Sequence, residues 1–63
     1  MRYEIWDDLT GGRVDYDDGY DTIEDAAAAA WATADDLVVH GRCGAPYVVV
    51  YDGDEIVYEK SDV

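Results

Sequence analysis

DTIEDAAAAAWATADDLVVHG, residues 21–41, decides the fold. Its apolar residues Ile23, Ala27, Ala30, Trp31, Ala34, Leu37 and Val38 recur at the three-and-four spacing of one helix face. Asp21 with Glu24 has the spacing of a capping box, and Thr22 with Asp25 is the alternative pair. Glu24 and Asp25 also suit the positive end of a helix dipole. Gly41 is the residue expected just past the helix end, because it takes a positive φ without steric cost. The stretch therefore predicts a helix from Asp21 or Thr22 to about Val39 or His40. Its alanines predict that the helix axis lies close to a sheet.

Strand patterns flank this helix on both sides. Tyr3-Glu4-Ile5-Trp6 alternates with β-formers, Thr10-Gly11-Gly12-Arg13 is a turn, and Val14-Asp15-Tyr16 returns with Val14 and Tyr16 on one face. After Pro46, Tyr47 to Tyr51 is β-branched and aromatic throughout, Asp52-Gly53 marks a turn, and Glu55 to Glu59 returns. A three-residue loop ending at Gly53 sets Val48 opposite Ile56. It places Val48, Val50, Ile56 and Tyr58 on one face, with Glu55 and Glu59 on the other. The expected fold class is α+β: a small single domain, strand-strand-helix-strand-strand, with one antiparallel sheet and an Ala-rich helix on one face. Beyond this only a short polar end, Ser61-Asp62-Val63, is visible.

Sixty-three residues make one domain, 1–63, and a chain this short buries only about 60% of its unfolded surface. Cys43 is the sole cysteine, so neither an internal disulfide nor a zinc site staples the fold. The 49% apolar content carries folding instead, and it argues against the disorder that high charge alone suggests. Arg2 is followed by Tyr3 and Glu4 with no apolar h-region, and no run approaches the roughly 18 apolar residues of a membrane span. With a lone thiol, the expected compartment is a reducing cytoplasm.

Few residues offer chemistry. His40, Cys43 and Ser61 are each the only one of their kind. His40 and Cys43 have the elements of an activated thiolate. The simpler reading is a helix end, where His40 suits the negative end of the dipole. Asp15-Tyr16-Asp17-Asp18-Gly19-Tyr20-Asp21 resembles a calcium loop only superficially, since counting from Asp15 or Asp17 puts Gly19 at a ligand position. Thr10-Gly11-Gly12-Arg13 lacks the length and the lysine of a phosphate loop. The expectation is a non-enzymatic chain with no cofactor and no metal.

Charge is the dominant feature. Sixteen Asp and Glu against four Lys and Arg give −12, and twelve of the sixteen are Asp, whose carboxylate stays close to the backbone. Such a surface repels nucleic acid and anionic membranes and attracts basic proteins. Residues i and i+2 of a strand lie about 6.6–6.8 Å apart on one face, so Asp15 with Asp17, or Asp52 with Asp54, would space charges like neighbouring phosphates. Tyr16, Tyr20, Tyr47 and Tyr51 would add amphipathic contact area. The expected partner-binding residues are Asp15, Asp17, Asp18, Asp21, Glu24 and Asp25, with Asp35 and Asp36 as a second cluster. Two other readings use the same charge. Asp-rich composition with a single lysine, Lys60, also suits a cytoplasmic protein of a high-salt organism, and a generic partner-binding or antitoxin-like module needs no mimicry.

In size, acidic clusters and absence of catalytic residues, the chain resembles the anti-CRISPR proteins of phages and mobile elements, several of which imitate DNA. These proteins share no motif, so no residue role carries over. The resemblance implies a basic DNA-binding partner, a Cas effector or Cascade subunit that grips DNA through Lys and Arg. The charge argues against direct nucleic-acid contact and against membranes, and a monomer is the expectation, with a Cys43 cross-link between two chains the alternative.

Overall fold

A computed structural model describes residues 1–62; Val63, the last residue of the polar end, lies outside the described residues. The order is β1 (Arg2–Asp7), β2 (Arg13–Asp17), α1 (Ile23–Val39), β3 (Pro46–Asp52) and β4 (Glu55–Ser61). The strands form one antiparallel sheet in the order β2-β1-β3-β4, with the helix on one side. The expected α+β architecture is the observed one.

Small side chains set the helix–sheet contact. Ala26, Ala30 and Ala34, four residues apart, are fully buried against Tyr3, Ile5, Val48 and Val50. The β1–β3 register pairs Tyr3 with Val50 and Ile5 with Val48, which puts all four on the helix side of the two central strands. Hydrogen bonds flank this core: the Tyr3 and Thr33 hydroxyls share one at 3.2 Å, and Trp31 Nε1 donates to the Tyr58 hydroxyl at 3.0 Å. Ala26, absent from the expected stripe, is buried, whereas Val38 is exposed at the helix's last turn. The stripe narrows there because the sheet ends beneath it at Asp7 and Pro46.

The helix ends follow local chemistry. Thr22, in extended conformation, caps the N-terminus by accepting from the Asp25 amide at 3.1 Å; the alternative pair operates, and Asp21 lies one residue outside it. At the other end Gly41 has φ +72, its amide donates to Val38 O, and the Arg42 amide donates to Leu37 O. This is the two-bond Schellman pattern.

Both hairpins depart from the expected register for the same reason. In β4, Asp52 pairs with Glu55 across Gly53-Asp54, Tyr51 with Ile56, and Val50 with Tyr58, so Val57 is an inserted bulge residue. The loop is two residues long, with Gly53 at φ +62, a primed-turn geometry. Ile56 therefore faces away from Val48, Val50 and Tyr58 and is 50% exposed, and Glu55 and Glu59 fall on opposite faces. In β2 the pairing steps from Ile5–Asp15 to Trp6–Arg13, making Val14 the bulge residue. Val14 packs against the core, while Tyr16 lies on the other face opposite Glu4. A bulge shifts the face of every later residue and leaves no mark in a two-residue alternation.

Asp7 joins three chain segments. Its buried carboxylate accepts from the Leu9 amide at 3.0 Å, the Gly44 amide at 3.1 Å and the Ala45 amide at 3.2 Å. These bonds, those to Gly44 and Leu9 foremost, hold its pKa below the ordinary aspartate value. Leu9 lies over Gly44 so closely that a Cβ there would collide with Leu9 Cδ1.

Two stability outcomes follow from these contacts. Ala30→Leu forces the helix off the sheet and costs about 1–3 kcal/mol, read from urea unfolding. Asp7→Asn destabilises at neutral pH. Because the folded pKa of Asp7 is depressed, its contribution is complete above the unfolded value and is lost as pH falls through the folded value. The deficit of the Asn variant therefore shrinks as pH drops below about 4, measured by thermal melts against pH.

Candidate functional site

The strand order decides where the acidic residues meet. The start of β1 lies beside the end of β2 and the end of β3, since Tyr3 pairs with Asp17 and Arg2 with Tyr51. The chain leaves β2 at Asp17, turns through Asp18 to Asp21 and enters the helix, bringing Glu24 and Asp25 to this same end. The Tyr20 amide pins the turn by donating to Met1 O at 3.1 Å. Six expected residues thus gather: Asp15 and Asp17 on β2, Asp18 and Asp21 in the connection, Glu24 and Asp25 in the first helical turn.

The other two stand apart. Asp35 and Asp36 lie ten and more residues further along the helix, about 15 Å from Asp25 at 1.5 Å per residue. In their place the fold adds Asp52, Asp54 and Glu55, because the β3–β4 turn closes at the same end, where Arg2 Nη1 donates to Gly53 O. Locally this cluster reads as turn chemistry. What would have joined it to the first is the central position of β1, which no short-range pattern carries.

Nine carboxylates (Asp15, Asp17, Asp18, Asp21, Glu24, Asp25, Asp52, Asp54 and Glu55) accordingly share one end of the fold. None is in an ion pair among the described residues; the pairs found there are Arg13–Glu4 at 3.0 Å and His40–Asp36 at 3.4 Å. Nor do three metal-ligating side chains converge among the described residues, so the carboxylates form a spread array and not a cage. Asp15 and Asp17 share the helix-side face of β2, opposite Ile5 and Tyr3, with the strand spacing expected of them. Asp52 and Asp54 do not share a strand face, because Asp54 sits within the turn.

Local bonds fix two of these groups. Asp15 Oδ1 accepts from the Tyr16 amide at 2.8 Å, and Asp17 Oδ1 accepts from the Asp18 amide at 2.9 Å. The Tyr20 hydroxyl donates to Asp17 Oδ2 at 3.1 Å. Burial, with Asp17 beside it, pushes the Tyr20 phenol up to about 12. Tyr20 turns inward, its ring 5.6 Å from that of Tyr3.

The other tyrosines belong to a different surface. Tyr16, Tyr47 and Tyr51 share the uncovered face of the sheet with Arg2, Glu4, Trp6, Arg13, Val49, Ile56 and Glu59. Arg2 stacks on Tyr51 at 4.1 Å and Arg13 on Tyr16 at 4.4 Å. Trp6 Nε1 donates to Glu4 at 3.3 Å, and the Tyr47 hydroxyl donates to Glu59. Of the four expected tyrosine side chains, that of Tyr20 alone therefore hydrogen-bonds to the acidic array, through Asp17.

The two candidate nucleophile-chemistry residues are differently housed. Cys43 is 4% exposed, and burial, together with the Asp7 charge, pushes its thiol up, away from thiolate. His40 is exposed at the helix C-cap with Nδ1 2.8 Å from Asp36 O. Among the described residues no helix is long and apolar enough to cross a membrane.

No family model, no curated protein and no solved structure matches this chain.

Proposed function

We propose that this chain is a non-enzymatic inhibitor whose acidic end occupies a basic, nucleic-acid-binding surface of a partner protein in place of phosphate. The observation that supports it is the gathering of nine carboxylates, free of ion pairs among the described residues, at one end of the fold. Backbone amides hold two of these carboxylates, Asp15 and Asp17, at fixed positions, so little side-chain entropy is lost there on binding. A groove lined with Lys and Arg releases the same counterions to carboxylates as to phosphates. The likeness to anti-CRISPR proteins makes a DNA-binding CRISPR effector the first partner to try.

The test is displacement of labelled duplex from a purified Cascade-type complex. The chain competes, and its apparent affinity falls steeply between about 50 and 200 mM salt. Replacing Asp17, Asp18 and Asp21 together by Asn weakens competition at least about tenfold with the melting curve retained, a loss on the order of 1.4 kcal/mol. Asp35→Asn with Asp36→Asn changes it little. Failure to displace duplex at any salt removes the proposal for that partner.

A second reading is favoured by the acids that lie elsewhere, Asp8, Asp35, Asp36 and Asp62, and by Lys60 as the single lysine. There the charge serves hydration in concentrated salt. It predicts a chain largely unfolded at about 0.1 M salt, where repulsion is poorly screened, and folded above about 1 M, followed by circular dichroism. A complete fold at low salt rules it out.

A further inference from the structure

We infer that the Trp6–Tyr47 end of the uncovered sheet face is a binding site for a small, fully methylated ammonium cation of the choline class. A trough of about 330 Å³ lies there. Val49, 4% exposed, forms its floor on the central strand β3. Trp6 and Tyr47, paired across β1 and β3, bound one end; Tyr51 and Ile56, paired across β3 and β4, bound the other. Side chains at both ends make the trough suit a compact ligand and not an extended segment of chain.

Two carboxylates give the trough its sign. Glu59, opposite Val49 on β4, accepts from the Tyr47 hydroxyl. Asp8 is held at the Trp6 end by its amide, which donates to Ala45 O at 2.9 Å. Neither is in an ion pair among the described residues, and no Lys or Arg there lines the trough. The Tyr47 phenol is pushed up, first by the bond to Glu59, then by burial and by the Glu59 and Asp8 charges. Both carboxylates therefore act at this ring. The arginines of the face are committed elsewhere: Arg2 stacks on Tyr51, and Arg13 stacks on Tyr16 and pairs with Glu4. Trp6 and Tyr47 are left as half-buried rings in an anionic field, with no cation over them among the described residues.

The hydrogen-bond inventory selects the cation. Aromatic faces attract organic cations, indole most strongly. A primary ammonium or a guanidinium would also need acceptors for several N–H groups. Most acceptors here are already engaged: Asp7 by three amides, Glu4 by Arg13 and Trp6, Glu59 by Tyr47. A fully methylated ammonium carries no N–H, and it asks only for ring faces, an apolar floor and negative potential. An anionic group on the same ligand would meet Asp8 and Glu59, which disfavours betaines and phosphocholine. None of the nine carboxylates of the acidic end lines the trough, so the site stands or falls independently of the proposed inhibition.

The test is an NMR titration of the nitrogen-15-labelled full chain with choline chloride, against sodium chloride at equal ionic strength. The Trp6 indole N–H should shift saturably, while that of Trp31, bonded to Tyr58 beside the helix, stays in place. Ammonium, glycine betaine and phosphocholine should each bind at least about tenfold more weakly than choline. Tyr47→Leu should lower choline affinity at least about tenfold and Glu59→Gln about threefold, with chemical-shift dispersion retained. Tyr47→Phe, which keeps the ring, and Tyr16→Leu, outside the trough, should bind choline nearly as the parent chain does. A Trp6 shift that sodium chloride reproduces, or that grows without saturating, overturns the site. So does choline affinity unchanged in Tyr47→Leu, or binding of ammonium or betaine as tight as that of choline.

Discussion

Contact between the alanine stripe and the two central strands is what the rest of the molecule depends on. Ala26, Ala30 and Ala34 bring the helix backbone down onto Ile5, Val48 and Val50, and the largest fully buried side chains are those three. A core this thin gains its dispersion energy from closeness and not from bulk. It also fixes the helix direction, which runs from the crowded acidic end towards Asp7. The hydrogen bonds of Tyr3, Thr33, Trp31 and Tyr58 lie at the margins, where large side chains cover what the alanines leave open.

The same contact governs where charge accumulates. The helix packs mainly on β1 and β3 and less on β4, so the helix side of β2 carries Asp15 and Asp17 rather than apolar residues. Glu24 and Asp25 add charge where the helix dipole welcomes it. The sheet's free face then holds Arg2 and Arg13, half of the cations. One fold thus separates an anionic end from an aromatic face.

Much of this was legible in the sequence, for reasons that are local. The helix has a repeat of three and four residues, the turns have Gly11, Gly41 and Gly53, and the element order follows from their alternation. The six acids from Asp15 to Asp25 are close in sequence and stay close in space. Asp52, Asp54 and Glu55 join them only because β1 lies between β2 and β3, a long-range fact. Simple alternation puts Ile56 and Tyr16 on the helix side, and the bulges at Val57 and Val14 turn both to the opposite face. Asp7 reads as one acid of a pair with Asp8, yet the Leu9 amide in its own turn and two amides from one distant loop, Gly44 and Ala45, make it a structural group. Only tertiary context distinguishes it from its neighbour.

The two inserted valines have a consequence at the sheet's borders. Both interruptions fall on outer strands, β2 and β4, whose outward amides and carbonyls would otherwise offer a straight template for further strands. A bulge adds local twist and breaks the even ladder that stacking into fibrils requires. Asp15 and Asp17 on one border, and Glu55 and Glu59 on the other, add repulsion between like borders. A chain with five consecutive β-favouring residues, Tyr47 to Tyr51, keeps that segment in the sheet's interior, shielded from templated growth on both flanks.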